Sequence, residues 1–182
     1  NIDGDGQADL KNHGGEYKAV YPYDIQNYAH WEKELRRDDF TFGQFGENLT
    51  TEGMTEDEVF IGDIFRIGGA VAEVSQPRNP CFKLGISMAD KSFVGKFFNS
   101  GLLGIYLRVI EEGEIGAGDA IERIEAGPEQ ITVREMARLR NFGEGDLELT
   151  RRALRISALA PEIKEQFKIR LEKENQPTKD AE

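Results

Sequence analysis

Residues Ile61–Ser75, IGDIFRIGGAVAEVS, hold two short runs of branched and aromatic residues divided by glycine. Ile64–Ile67 and Ala70–Ser75 read as strands, because such side chains suit a pleated, half-buried surface. Working outward, Val59–Ile61, Gly104–Ile110 and Ala120–Glu125 have the same character and are divided by Gly and Asp. Gly62-Asp63 before IFRI and Gly118-Asp119 before AIERI echo one another, as a turn device used twice. Strands this short, at this spacing, predict a mainly β fold: a barrel or rolled sheet with helices outside it.

The helices announce themselves by period. After a glycine-rich polar opening and a short strand expected near Lys18–Val20, Pro22 precedes YDIQNYAHWEKELRR. There Ile25, Tyr28, Trp31 and Leu35 recur at three- and four-residue steps, which predicts an amphipathic helix. A second helix is expected over Met88–Asn99, with Val94, Phe97 and Phe98 on one face and Gly101 as its stop. Beyond Gly127-Pro128 the pattern becomes helical throughout. Thr132–Glu135 has the form of a capping box before Met136 and Leu139, and Asn141–Gly145 breaks that helix. Asp146 can cap a second with Leu147, Leu154 and Leu159; Pro161 opens a third with Ile163, Phe167 and Leu171. This predicts a β unit over 1–127, a three-helix unit over 131–175 and a frayed tail over 176–182.

Charge supports that division. The chain of 182 residues carries a net charge of -11. Residues 1–130 hold 12 Lys/Arg against 24 Asp/Glu, whereas 131–182 hold 11 against 10. An acidic surface makes nucleic acid a poor partner. No apolar run approaches the roughly 20 residues that span a bilayer, so no membrane partner is expected. One cysteine excludes an internal disulfide and agrees with a reducing, cytoplasmic setting. Asn1 opens in mid-loop, so an upstream segment is expected.

That cysteine, Cys81, lies in Ser75–Lys83, SQPRNPCFK, between two prolines and beside two cations. A free cysteine is commonly a small core hydrophobe, but prolines stiffen this loop, and Arg78 and Lys83 favour a thiolate that attacks electrophiles or binds soft metals. A nucleophilic sulfur wants a base, and the chain offers His13 and His30. His30 falls within the first helix, where a structural role suffices. His13, in NHGG, sits where glycines let backbone approach a ligand, or else caps its own turn. Asn48, in FGENLT, either bonds its own backbone or faces a site. No zinc ligand set is present, and DGDGQAD at Asp3–Asp9 lacks the Glu and flanking helices of a calcium loop. A basic pocket within an acidic surface suits a small anionic ligand.

Five motifs, GDGQAD, KNHGG-x-x-KAV-x-x-YP, FGENLTTEGM, IGD-x-FRIG and SQPRNPCFKLG, occur in that order over about residues 2–127. Together they resemble the MOSC domain, named after the C-terminal domain of molybdenum-cofactor sulfurase, and within it the YiiM-type branch associated with resistance to 6-hydroxylaminopurine. The tail is similar to the three-helix unit of that branch. The resemblance implies a closed or nearly closed β-barrel with peripheral helices and a molybdenum cofactor (molybdopterin) whose metal is held by Cys81. It makes Arg78, Lys83, Asn48 and Arg108 cofactor-binding candidates. It pairs His13 with Cys81 as catalytic, His13 being the expected proton donor. The family also carries an association with pyridoxal phosphate binding. The implied activity is reduction of an N-hydroxylated small molecule, such as a hydroxylaminopurine, to the amine. Electrons would come from a separate donor protein, since the chain has neither a flavin fingerprint nor cysteines for a cluster, and the near-neutral tail is its expected dock. The rival implication is a carrier of the cofactor or of sulfur with no turnover of its own; a metal-free thiol module is a third reading.

Overall fold

The computed structural model of the chain describes residues 2–3 and 14–174. Strand β1 (Pro22–Asp24) pairs in parallel with β2 (Leu49–Thr51), Pro22 opposite Leu49. Four further strands, β3 (Ile64–Ile67), β4 (Ala70–Pro77), β5 (Ile105–Glu111) and β6 (Ile121–Glu125), form an antiparallel sheet in the order β5-β4-β3-β6. The strand read over Ala70–Ser75 therefore extends two residues further, and all eight of its residues are buried.

The sheets do not close into the expected barrel. Val20 bridges to Leu107 of β5, but the next residue leaves that edge. Tyr21 gives its N–H to Asn48 Oδ1 at 2.9 Å and takes the Asn48 N–H on its carbonyl at 2.9 Å, which commits it to β2 instead. Between β2 and the segment leading into β6 lies a cavity of about 620 Å³, lined by Leu49, Thr50, Thr51, Ile115 and Ile121 among others. Two short stretches also depart from expectation. Glu16–Lys18 is a 3-10 turn, and Val59–Ile61 forms no continuous strand, although Phe60 bridges Thr132 and the Ile61 N–H donates to Ile131 O at 2.9 Å.

Helix α1 (Ile25–Leu35) follows the sequence period: Tyr28 and Trp31 are buried, and the Asp24 carboxylate accepts the Gln26 N–H at 2.9 Å as its cap. Asp24 also accepts from Met54 N at 2.7 Å, tying the helix start to the following loop. The helix read over Met88–Asn99 is shorter and begins later, as α3 (Phe93–Ser100), and an unexpected short helix, α2 (Phe82–Ser87), precedes it. Ala89 at φ 52° breaks the run, and Asp90 accepts from the N–H and hydroxyl of Ser92 to restart it.

The three C-terminal helices are α4 (Val133–Phe142), α5 (Leu147–Arg155) and α6 (Pro161–Glu174). Thr132 and Glu135 form the capping box, and Asp146 accepts from Leu149 N at 2.7 Å. Their buried Met136, Leu139, Ala153, Ile156, Ile163 and Phe167 join one apolar cluster with Phe65, Ile67, Val74 and Ile105 of the sheet. No break in the core marks Gly127-Pro128. Asp63 holds the junction instead: fully buried, it accepts from Phe60 N at 2.9 Å and Gly127 N at 2.7 Å and pairs with Arg123 at 3.1 Å. A second, aromatic cluster gathers Tyr21, Tyr23, Tyr28, Trp31, Phe45, Phe93 and Phe97 on the other side.

Candidate functional site

Where β4 ends, Pro77 cannot donate to a ladder, and the chain turns out of the sheet. Arg78 N donates to Gly104 O at 3.2 Å, which fixes the next side chain against the aromatic cluster. The Arg78 guanidinium lies 4.7 Å from the Tyr21 ring centre and 5.4 Å from that of Phe97, and the residue is only 8% exposed. Its Nη1 is buried without a hydrogen-bond partner, and no carboxylate pairs with it among the described residues. The phenol of Tyr106, on β5, lies within electrostatic reach of the Arg78 guanidinium. Burial holds the Tyr106 hydroxyl above its ordinary pKa, with Arg78 opposing, so it keeps its proton at neutral pH.

A buried guanidinium is always charged, and leaving it unmatched in a low-dielectric interior is expensive. Two aromatic faces offset part of that cost. What remains is a positive charge with an open donor, a group that could receive an anion.

The backbone is shaped around this group. Gly104, at φ 76°, lies so close to Tyr21 and Tyr23 that an added Cβ would come within 2.5 Å of Tyr21 Cε2. Gly46, at φ 85°, brings its loop to within contact of Arg78 Nη2. Buried Glu47 organises that loop: it accepts from Gly43 N at 2.9 Å, Phe45 N at 3.1 Å and Thr50 Oγ1 at 3.1 Å, and from the Tyr28 hydroxyl.

Cys81 is half-buried, extended at φ -128°, and immediately precedes α2. It follows Arg78 by three residues and lies within electrostatic reach of both Arg78 and Tyr106. Lys83 is exposed in the first turn of α2. Arg78, Tyr106 and Cys81 thus come together, with Lys83 two residues further on. Asn48 is exposed, holds Tyr21 through the paired bonds above, and lines the 620 Å³ cavity, which Cys81 and Arg78 do not line. Arg108 faces Glu73 across the β4–β5 ladder, bonding it at 3.1 Å through Nε and also through Nη2, and its guanidinium lies 5.6 Å from the Tyr17 ring centre. His13 lies outside the described residues. His30 sits on α1 with its ring 4.9 Å from that of Trp31, as a structural histidine would. Among the described residues no three His, Cys, Asp or Glu side chains could hold a metal jointly, so a metal at Cys81 would have to bring other ligands with it.

Sequence reasoning read Phe97 only as a helix-face residue and did not single out Tyr21, Tyr106 and Gly104. YPYD and LLGIYLR carry no local signal for them; they meet Arg78 only through strand pairing.

Known proteins bear on this arrangement. Residues 9–122 match the MOSC domain family. Protein YflK of Bacillus subtilis, itself uncharacterised, is 42% identical over 92% of this chain and 75% of its own length. Protein YiiM of Escherichia coli is 38% identical over 75% of this chain and 61% of its own. A Gibberella moniliformis protein named Reductase is 38% identical over 62% of this chain but 21% of its own length. The crystal structure of YiiM from Geobacillus stearothermophilus superposes with a TM-score of 0.82 at 33% identity, covering 86% of this chain and 80% of that one. YiiM from Escherichia coli gives 0.79 at 30%, over 91% and 84%. The chain belongs to the MOSC domain family.

Proposed function

We propose that this protein binds a molybdenum cofactor at Cys81 and Arg78 and reduces N-hydroxylated small molecules, hydroxylaminopurines among them, to amines. One observation carries the reading: a buried, unpaired guanidinium beside the only thiol in the chain. Thiolate is a soft ligand suited to a thiophilic metal, and Arg suits phosphate or an oxo anion. The absence of a multi-residue metal cluster among the described residues fits a group that carries most of its own ligands. The relative named Reductase and the MOSC family membership point the same way.

When bound, the cofactor supplies the two-electron chemistry of the N–O bond. The chain supplies the rest. Cys81 Sγ anchors the metal at a half-buried position, open to a small substrate. Arg78 Nη1 would donate to the cofactor's anionic oxygens, with two aromatic faces holding the guanidinium and the Gly104 carbonyl holding the Arg78 backbone. Tyr106 keeps its phenolic proton, with the guanidinium within electrostatic reach. Lys83 adds positive charge at the rim, with Asn48 and Arg108 as further rim candidates. His13 remains the proposed proton donor.

The test is direct. Protein purified from a molybdenum-replete host, given dithionite and 6-hydroxylaminopurine, should form 6-aminopurine; metal-loaded protein that forms none refutes the enzymatic reading. The half-exposed thiol equally suits a carrier. Metal-loaded protein that forms no amine yet donates its cofactor to an apo-enzyme would establish that alternative.

A further inference from the structure

We infer that the α2–α3 hairpin is the docking surface for an electron-donor protein with an acidic face. This rests on the proposed reductase activity, because R–NHOH + 2e⁻ + 2H⁺ → R–NH₂ + H₂O needs two electrons from outside the chain. A one-electron donor protein supplies them in two encounters. It must reach the edge of the site, and the surface next to Cys81 is this hairpin.

Three observations single it out. First, Phe82 and Ile86, four residues apart and hence on one face of α2, are both 69% exposed. Large apolar side chains left this open beside a site suit the core of an interface better than a solvated face. Second, the charge is wrong for the rest of the protein. Between Glu73 and Glu111 the chain carries Arg78, Lys83, Lys91, Lys96 and Arg108 but only one acid, Asp90, against a net charge of -11 overall. Lys83, Lys91 and Lys96 are exposed. The Asp90 carboxylate is engaged by the Ser92 N–H at 2.8 Å and hydroxyl at 2.6 Å. On the flanking side Arg37 donates to Met88 O at 3.4 Å and is itself matched by Asp39. Third, the hairpin is held rigidly. Gly85 packs against the backbone of Asp90 and Lys91, and Leu84, Met88, Phe93 and Phe97 are buried beneath it. An exposed apolar pair that shares its hairpin with three exposed lysines is complementary to an acidic partner, and such charge arrangements speed encounter and fix orientation.

This assignment differs from the C-terminal helices, whose near-neutral charge was the earlier argument for a dock there. Those helices bury most of their apolar residues against the sheet, and the large ones they expose, Phe142 and Ile169, are less open than Phe82 and Ile86.

The probe is an acidic flavodoxin. Its binding to the purified protein is measured by calorimetry at about 20 mM and about 300 mM salt, where screening of surface charge differs most. Ile86→Asp and the double variant Lys91→Glu/Lys96→Glu should each weaken binding about tenfold or more at low salt, and raised salt should weaken the wild type likewise. Flavodoxin-driven turnover should fall in parallel, whereas dithionite-driven turnover should hold, because the small reductant needs no dock. Lys168→Glu/Lys173→Glu on α6 should change neither. Unchanged binding in the hairpin variants, no binding of wild type at low salt, or loss only in the α6 variant would overturn the inference. If the hairpin variants lose binding while wild type shows no dithionite-driven turnover, the surface stands and the reductase reading fails.

Discussion

Replacing Arg78 by methionine should make the ligand-free protein more stable while abolishing its response to anions. A buried, unmatched charge costs several kcal/mol, and the orphaned Nη1 alone accounts for about 1–3 kcal/mol. Against this stand two cation–π contacts, at 4.7 and 5.4 Å, worth about 1–2 kcal/mol each when desolvated. Methionine keeps the length and apolar stem, and the Arg78 N–H to Gly104 O bond is backbone and survives. The balance favours the variant by about 1 kcal/mol, a rise in Tm of about 2–4 °C for a chain of this size. Wild type should instead gain with inorganic phosphate. Once phosphate exceeds its Kd, each tenfold increase adds about 1.4 kcal/mol, or about 3–5 °C. Scanning calorimetry of both proteins over a phosphate series, with chloride at matched ionic strength, reads both effects. A variant that loses about 2 kcal/mol or more and keeps the phosphate slope would show that Arg78 is a core residue and not an anion receptor.

Gly104→Ala should cost about 2–4 kcal/mol in a denaturant titration, since the new methyl meets Tyr21 and Tyr23 at a positive φ that disfavours any side chain. Glu56 is raised above the ordinary carboxylate range by burial, opposed chiefly by hydrogen bonds from Gly104 N and Asn27. The folded state therefore holds its proton to higher pH than the unfolded chain does. The stability of wild type relative to Glu56→Gln should fall as pH rises from the unfolded carboxylate range, about 4.5, through the folded value; a flat difference between the two pH profiles would contradict this. Arg108→Ala should cost about 1 kcal/mol by stranding the nearly buried Glu73, yet reduce cofactor content less than Arg78→Met does. Equal loss of cofactor in both would move Arg108 into the binding set.

Much of this molecule is legible where the signal is local. The α1 face, the capping box at Thr132 and the Asp146 and Pro161 starts follow from spacing and caps alone. Helix α2 and the late start of α3 are not legible, because six residues carry too little period and the αL turn at Ala89 has no glycine to mark it. Closure of the barrel was over-read for another reason. Strand character says nothing of partners, and whether Tyr21 stays with Leu107 or turns to Asn48 is settled by long-range hydrogen bonds. The site divides the same way. Arg78 and Cys81 stand out in a proline-bounded basic loop, whereas Tyr21 and Tyr106, far apart in the chain, become neighbours of Arg78 only when the sheet forms. Arg108 illustrates the limit: its cation is visible in the sequence, but the glutamate that meets it appears only with the β4–β5 register.

The central claim is that a sulfur at position 81 holds molybdenum. Wild type and Cys81→Ser, both purified from a molybdenum-replete host and matched for fold by circular dichroism, should be compared for bound metal by mass spectrometry. Molybdenum in wild type and its loss in the variant is the predicted result. Equal molybdenum in both would contradict the assignment.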